Sequence, residues 1–81
     1  MSKIGEVTHF FGDINVAVVD LEDSLEIGDE VSFERNGEEL FSQRVDSMEV
    51  DHEKVESADS GDEVAIKVKK KAKEGTEVHT A

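Results

Sequence analysis

The chain has 81 residues and no cysteine, so neither a disulfide framework nor a thiolate metal site can support its core. Its 21 acidic and 9 basic residues give a formal net charge of −12, which repels nucleic-acid phosphates at ordinary ionic strength. No stretch approaches the ~20 consecutive apolar residues of a transmembrane helix, and the N-terminus lacks the apolar region of a secretory signal. We therefore expect a single cytoplasmic domain, residues 1–81, without membrane association.

Alternation of apolar and polar side chains with a period of two predicts β-strands along most of the chain. Ile14, Val16 and Val18 alternate with their neighbours in a run rich in β-branched residues, which favour strands. Apolar residues keep helical spacing over no window longer than about ten residues. In chain order, strands are predicted at 4–11, 14–19, 31–34, 41–45 and 64–68.

Turn signals separate the predicted strands. Asn36-Gly37 lies between two of them, and both residues tolerate the positive φ of a two-residue type I′ hairpin turn. Gly12-Asp13 separates the first two predicted strands, so the same kind of turn is predicted there. Within 45–50 the apolar phase slips, which predicts a β-bulge.

A tetrapeptide repeats within the chain. Gly-Asp-Glu-Val occurs at 28–31 and at 61–64, and the related Gly-Thr-Glu-Val follows at 75–78. Each copy has a glycine able to adopt the left-handed conformation, a short polar side chain that can cap a turn, and a β-branched residue. Separations of 33 and 14 residues do not fit a solenoid period, so we predict three similar strand starts in one domain.

These elements predict an all-β fold, a single small β-barrel closed by six strands, because closure removes exposed strand edges. The core is placed at 4–69, and 70–81 is expected to form a C-terminal strand or tail with a partly frayed end. The predicted core residues are Val7, Val16, Val18, Leu25, Ile27, Val31, Phe33, Phe41, Val45, Met48, Val64, Ile66 and Val68.

Several segments resemble a known kind of barrel. Gly-Glu-Val at 5–7, Leu-Glu-Ile-Gly-Asp-Glu-Val at 25–31 and the copy at 61–64 resemble the β-barrel second domain of translational GTPases such as elongation factor Tu. The sequence is more similar still to the C-terminal barrel of the collagenase-like peptidase family, where phrases like 7–11 (VTHFF) and 51–53 (DHE) also occur. The resemblance implies the closed barrel of the translation-protein type.

The same resemblance implies binding without catalysis. In the GTPases this barrel contacts the aminoacyl end of tRNA, ribosomal RNA or neighbouring domains. Nucleotide is bound there by a P-loop, and this sequence has no G-x-x-x-x-G-K-[ST] motif. In the peptidase-like family the activity resides in a large separate domain. We therefore expect a standalone module without enzymatic activity, bound nucleotide or cofactor.

The basic residues near the C-terminus form the first candidate binding site. Residues 1–53 carry fifteen acidic and three basic side chains, so a cluster of lysines is conspicuous in the remainder. Such a cluster can dock RNA phosphate or an acidic partner. The structural alternative is a strand edge that lysine protects against aggregation. The cluster consists of Lys67, Lys69, Lys70, Lys71 and Lys73.

His9, Phe10 and Phe11 form the second candidate binding site. Successive side chains of a strand point to opposite faces, so one of the two phenylalanine rings at most can enter the core. The other ring, or His9, would then be exposed at a barrel end, able to stack on a base or fill a partner's pocket. Alternatively, the chain turns here and both rings cover the barrel mouth.

The leading hypothesis is a monomeric, noncatalytic binding module that resembles a translation elongation factor barrel and docks tRNA, the ribosome or a translation or RNA-modification protein. The alternative is a separately encoded accessory subunit of a collagenase-like peptidase-family enzyme. A third hypothesis, a metal site of His9, His52 or His79 with carboxylates, has no characteristic ligand spacing behind it. The acidity indicates either adaptation to high internal salt, the interpretation we favour, or a partner with a basic surface.

Overall fold

The computed structural model describes residues 2–80, and within that range it consists of β-strands, turns and loops. The predicted all-β class is confirmed. Over the same residues no helix is long and apolar enough to cross a membrane. In chain order the strands are β1 (Ser2–Phe11), β2 (Val16–Leu21), β3 (Leu25–Glu26), β4 (Glu30–Arg35), β5 (Glu38–Arg44), β6 (Met48–Val50), β7 (Glu53–Val55), β8 (Ser57–Ala58), β9 (Glu63–Lys67) and β10 (Glu77–Thr80).

Eight of the strands form one antiparallel sheet in the order β5-β4-β10-β1-β2-β9-β6-β7, and β3 pairs with β8 in a separate ribbon. Over residues 2–80 the backbone ladder does not close into a ring, because β5 and β7 each have a single strand neighbour. The predicted closed barrel of six strands is therefore not confirmed. The additional strands are two or three residues long, too short for alternation to reveal them.

Two hairpins test the turn predictions. Asn36-Gly37 joins β4 to β5 with φ angles of 53° and 78°, which confirms the predicted type I′ turn. At the β1–β2 connection Phe11 pairs with Val16, so the loop spans 12–15 and its positive φ falls on Asn15, at 54°. The predicted hairpin is confirmed there. The prediction of a two-residue turn is wrong, because the second strand begins at Val16 and not at Ile14.

The three tetrapeptide copies fold into the same turn. Gly28, Gly61 and Gly75 have φ angles of 97°, 94° and 89°. The residue after each glycine donates its backbone N–H to the carbonyl three residues earlier, at 3.1, 3.0 and 3.0 Å. In both Gly-Asp copies the aspartate carboxylate accepts the N–H of that earlier residue at 2.9 Å. The predicted similar strand starts are confirmed, since β4, β9 and β10 each begin two residues after one of these glycines.

Strand β2 presents to the core the face opposite to the predicted one. Ala17, Val19 and Leu21 are buried. Val16 and Val18, assigned to the core from the sequence, lie half-buried on the outer face. Alternation within the predicted strand 14–19 could not decide the orientation, because that run is apolar on both faces and stops before Asp20, which lies on the outer face of β2. The orientation is set by the register with β1 and β9.

The rest of the predicted core is confirmed with one exception. Ile27 is exposed because it lies in the turn after β3, next to Gly28. Phe33 and Phe41 are cross-strand partners in β4 and β5, and their stacked ring centroids are 4.6 Å apart. The predicted core residues found buried are Val7, Leu25, Val31, Phe33, Phe41, Val45, Met48, Val64, Ile66 and Val68.

The C-terminal strand lies in the middle of the sheet. β10 pairs with β1 on one side and with β4 on the other, and Val78 is completely buried between them. Thr76 and Ala72, which precede the strand, are buried as well. The predicted fraying is wrong for Glu77–Thr80, because backbone hydrogen bonds along both edges hold a segment that carries few large apolar side chains, and Ala81 lies outside the described residues.

Where a bulge was predicted, within 45–50, the chain instead leaves strand β5 and passes to strand β6 on the other side of the sheet order. β5 ends at Arg44, and β6 begins at Met48 beside β9. Between them Val45 donates its N–H to the Asp29 carbonyl at 2.9 Å and accepts the Gly28 N–H at 2.8 Å. The bulge prediction is wrong because the apolar phase changes where the chain leaves one strand pair and joins another.

Candidate docking surface

The outer face of strands β1, β2, β9 and β6 carries an apolar groove. Phe11 lies beside Val16 across the β1–β2 ladder, and Val18 lies beside Ala65 across the β2–β9 ladder. Cross-strand partners point to the same face of a sheet, so these side chains form one continuous surface. With Ile14, Ser47, Glu49, His52 and Lys67 they line a groove of about 510 Å³, here called the outer groove.

The predicted aromatic site lies at one wall of the outer groove. Phe10 packs against the core, whereas His9 and Phe11 share the outer face with ring centroids 4.4 Å apart. Phe11 is 44% exposed, and Ile14 at the tip of the neighbouring turn is 59% exposed. His9 Nδ1 lies 3.5 Å from a carboxylate oxygen of Glu74. One phenylalanine ring therefore contributes to the core while the other is accessible to a partner.

Two of the predicted lysines lie at a seam between β9 and the edge strand β5. Nε2 of Gln43 donates to the Lys67 carbonyl at 2.9 Å, and Oε1 of Gln43 accepts the Lys69 N–H at 2.9 Å. The carboxamide thus makes the two hydrogen bonds that a neighbouring backbone would make. Together with Arg44 and Asp46, the two lysines border a depression of about 630 Å³ that is lined by both acidic and basic side chains. Nε of Arg44 lies 3.9 Å from Oδ1 of Asp46.

The remaining predicted lysines point elsewhere. Lys71 and Lys73 border a shallow depression of about 430 Å³ beside Phe10, and Lys70 is exposed on the same segment. Buried Ala72 anchors this segment to the core. The predicted single basic cluster is therefore divided over more than one surface, and Lys67 is the member that also borders the outer groove.

The shortest polar contact of a histidine described within residues 2–80 lies on the outer face of β10 and β4. Nε2 of His79 lies 2.9 Å from a Glu77 carboxylate oxygen and 3.7 Å from one of Glu34. The hydrogen bond from His79, aided by the charges of Lys3 and His79 against a smaller effect of desolvation, holds the pKa of Glu77 below its ordinary value. Within residues 2–80 no group of three or more histidines and carboxylates is placed to hold a metal ion, so the metal-site hypothesis gains no support.

The apolar floor of the outer groove was not predicted from alternation. The sequence predicts Val16 and Val18 in the core and Ile14 in a strand, whereas the two valines face outward and Ile14 lies at the tip of a turn. One signal was available, because the run 16–19 is apolar at every position. A strand apolar on both faces either lies between two layers or exposes one apolar face.

Over nearly its whole length the chain is similar to a solved C-terminal domain from a protein assigned to the U32 peptidases. One is the C-terminal domain of a Geobacillus thermoleovorans protein assigned to that class, with a TM-score of 0.90 and 21% identity, covering 99% of this chain and 92% of that domain. The selenomethionine variant of the domain has the same TM-score of 0.90 and 21% identity. The match covers 98% of this chain and 99% of that domain. At this level of identity, the likeness shows the fold.

A second comparison also relates the chain to a protease. The chain is 31% identical over 77 residues to an uncharacterized protease of Methanocaldococcus jannaschii. The match covers 95% of this chain and 19% of that protein, so the chain spans about a fifth of its relative's length. No protein-family model matches the chain. These likenesses agree with the resemblance to the C-terminal barrel of the collagenase-like peptidase family. They do not show a relation to translation factors.

Proposed function

We propose that this chain is a noncatalytic accessory domain of a U32-type peptidase-family enzyme and acts by docking against a catalytic domain. The observation that carries the proposal is the match to a U32 C-terminal domain with a TM-score of 0.90 over 99% of the chain. The 31% identity with part of an uncharacterized protease supports the same class. A separately encoded subunit, as hypothesised from the sequence, is one form of this proposal, and a domain within a longer polypeptide is the other.

The outer groove supports a docking role. Phe11 and Ile14 are two of the most exposed large apolar side chains described in this domain, and they lie side by side with the half-buried Val16 and Val18. Contiguous exposed apolar surface with a polar rim is typical of protein–protein interaction sites. The strands that carry the groove are central to the sheet, so the surface is presented on a rigid support.

We also propose that the sheet functions as a closed barrel, as the resemblance implies. The Gln43 carboxamide bridges β5 to the end of β9 through the backbone of Lys67 and Lys69. The backbone ladder is open at this seam, and the side chain supplies the missing hydrogen bonds. Closure here would hold the outer groove and the seam lysines in a fixed relative position.

The proposed function is tested by copurification. The gene is tagged in the source organism, and proteins retained with the tagged chain are quantified by mass spectrometry. We expect a U32-type catalytic domain in a one-to-one ratio, either as a second polypeptide or within the tagged one. Recovery of the tagged 81-residue domain without any such catalytic domain would contradict the proposal. An unrelated acidic domain carrying the same tag controls for retention by charge.

RNA docking is a second candidate, favoured by the fixed backbone of Lys67 and Lys69 at the Gln43 seam. Fluorescence anisotropy with total tRNA measures it. If RNA binds, Lys67→Glu should weaken binding, whereas Lys54→Glu in β7, which changes the net charge by the same amount, should leave it unchanged. Equal behaviour of the two variants, or no binding by the wild type in low salt, would exclude this candidate.

A further inference from the structure

Six carboxylates stand in register across six adjacent strands of the large sheet. Each is the direct cross-strand partner of the next, from β5 through β4, β10, β1 and β2 to β9. With ~4.8 Å between neighbouring strands, the row extends over ~24 Å. It is here called the acidic ladder, and in spatial order its members are Glu39, Glu34, Glu77, Glu6, Asp20 and Glu63.

The acidic ladder is only partly neutralised. Within residues 2–80 Lys3 makes an ion pair with Glu6, and His79 contacts the carboxylates of Glu34 and Glu77, all toward the β10 side. Asp20 and Glu63, at the β2–β9 end, make no ion pair with the described part of the chain, and Glu63 accepts a long hydrogen bond from Thr8 at 3.5 Å. Like charges directly opposite each other destabilise a sheet. The ladder therefore lowers the stability of the isolated domain, and a role outside the fold explains it better.

The β2–β9 end of the ladder borders the outer groove. Along β2 the outward side chains are Val16, Val18 and Asp20 in succession, at intervals of ~6.8 Å. On β9 the partners of Val18 and Asp20 are Ala65 and Glu63. On both strands the surface thus changes from apolar to negatively charged in one step, so that a single bound segment would contact both parts.

The groove continues into a further acidic depression. This depression has a volume of about 510 Å³ and shares Phe11, Val18, Glu49, His52 and Ala65 with the outer groove. Among the described residues that line it there is no lysine or arginine. Its carboxylates are those of Glu49, Asp51, Asp62 and Glu63.

We propose that the outer groove and the β2–β9 end of the acidic ladder form one docking surface for an apolar and basic segment of a partner protein. Apolar side chains of that segment fill the groove, and its lysines or arginines meet Asp20 and Glu63. The inference rests on the proposed function, in which the segment belongs to the U32-type catalytic domain. Charge complementarity favours a basic protein surface here and opposes RNA, whose phosphates have the same sign.

General salt adaptation explains the arrangement less well. A protein adapted to high salt needs an acidic surface, but it does not need carboxylates in register over six strands. Nor does salt adaptation require an exposed apolar groove beside these carboxylates. The combination of the two features on β2 and β9 therefore points to a specific partner.

The apolar part is tested by isothermal titration calorimetry of the U32-type catalytic protein with the purified domain. The groove variant combines Phe11→Ser with Ile14→Ser, and both side chains are exposed enough for the fold to tolerate their loss. The matched control combines Ile27→Ser with Leu40→Ser, which are 40% and 42% exposed and do not line the groove. We expect the groove variant to bind at least about tenfold more weakly and the control to bind like the wild type.

The acidic part is tested with Asp20→Asn combined with Glu63→Gln. We expect weaker binding and a smaller loss of affinity on adding KCl, because neutral residues cannot pair with a basic segment. Thermal unfolding of every variant verifies that it is folded. Wild-type affinity in both the groove variant and the charge variant would overturn the inference and leave the proposed function intact, because the catalytic domain would still bind.

A separate probe covers failure of the proposed function itself. If the wild-type domain does not bind the catalytic protein, amide NMR spectra are recorded with the acetylated peptide Leu-Ser-Leu-Ser-Lys-Ser-Lys and with its counterpart containing Glu for Lys. In an extended peptide the leucines and lysines share one face with the spacing of Val16, Val18 and Asp20. Shifts at these residues with the lysine peptide alone support the docking surface. Equal shifts with both peptides, or none with either, overturn it.

Discussion

Replacement of Gln43 by alanine tests whether a side chain closes the sheet between β5 and β9. The carboxamide donates to the Lys67 carbonyl and accepts the Lys69 N–H, both at 2.9 Å. On the same segment Val68 donates its N–H to the Asn15 carbonyl at 2.8 Å. Gln43→Ala removes the first two hydrogen bonds and leaves the third, so Val68 serves as an internal reference.

The expected cost follows from these contacts. Each hydrogen bond contributes ~1 kcal/mol net, and water can replace part of it at this half-buried position, so the loss is about 1–2 kcal/mol. For a domain of 81 residues this lowers Tm by roughly 4–16 °C. Gln43→Glu keeps the acceptor for the Lys69 N–H but places a carboxylate oxygen against the Lys67 carbonyl oxygen. At neutral pH it should therefore be at least as destabilising as Gln43→Ala.

Thermal unfolding followed by circular dichroism gives the change in Tm, and amide hydrogen exchange locates it. We expect the Lys69 amide to exchange faster in Gln43→Ala while the Val68 amide keeps its protection. Acidification should restore part of the stability of Gln43→Glu, because a protonated carboxyl can again donate to the Lys67 carbonyl. An unchanged Tm together with unchanged exchange at Lys69 would refute closure through this side chain.

Three further predictions concern the packing, the pH dependence and the charge of the domain. Gly5→Ala places a Cβ 2.6 Å from the Asp20 carbonyl oxygen and should cost about 1–3 kcal/mol in urea unfolding, whereas Gly12→Ala, whose Cβ has its nearest neighbour at 3.7 Å, should be close to neutral. Equal losses in the two variants would be inconsistent with the close approach of β1 and β2. The pKa of Glu77 is lowered by its hydrogen bond from His79, so its contribution to stability is present above the ordinary value of 4.5 and is lost as the pH falls through the lowered value. The difference in unfolding free energy between wild type and Glu77→Gln should accordingly shrink below about pH 4.5, and a difference independent of pH would argue against the bond. With a net charge of −12, an increase of KCl from about 0.1 to 1 M should raise Tm because the Debye length falls from ~10 to ~3 Å, and a flat response would show that repulsion does not limit stability.

Local structure was predictable where a residue type has few conformational alternatives. The Asn36-Gly37 turn and the three glycine turns were recognised because each requires positive φ, and all have it. Most core residues of β4, β5 and β9 were also identified, since one face of those strands is clearly more apolar than the other.

The candidate site was predicted less completely. The sequence indicated that at most one of Phe10 and Phe11 enters the core, because neighbours in a strand face opposite sides, but it did not decide which ring is exposed. The structure packs Phe10 against the core and places His9 and Phe11 on the outer face. Ile14, Val16, Val18 and Ala65 were not recognised as the rest of the surface. The lysines expected in one cluster border two different depressions. Side chains that meet only across strands have no sequence spacing by which to recognise them.

By itself the sequence determined the all-β class, the turns and the overall acidity, because backbone conformation at glycine and asparagine, period-two alternation and formal charge are local properties. The tertiary structure decided which face of β2 is buried and placed β10 at the centre of the sheet. It also brought six carboxylates from six strands into one row beside an apolar groove. These features depend on strand order and register, and a shift of one residue in register reverses every side chain of a strand, so they exist only once the strands are paired.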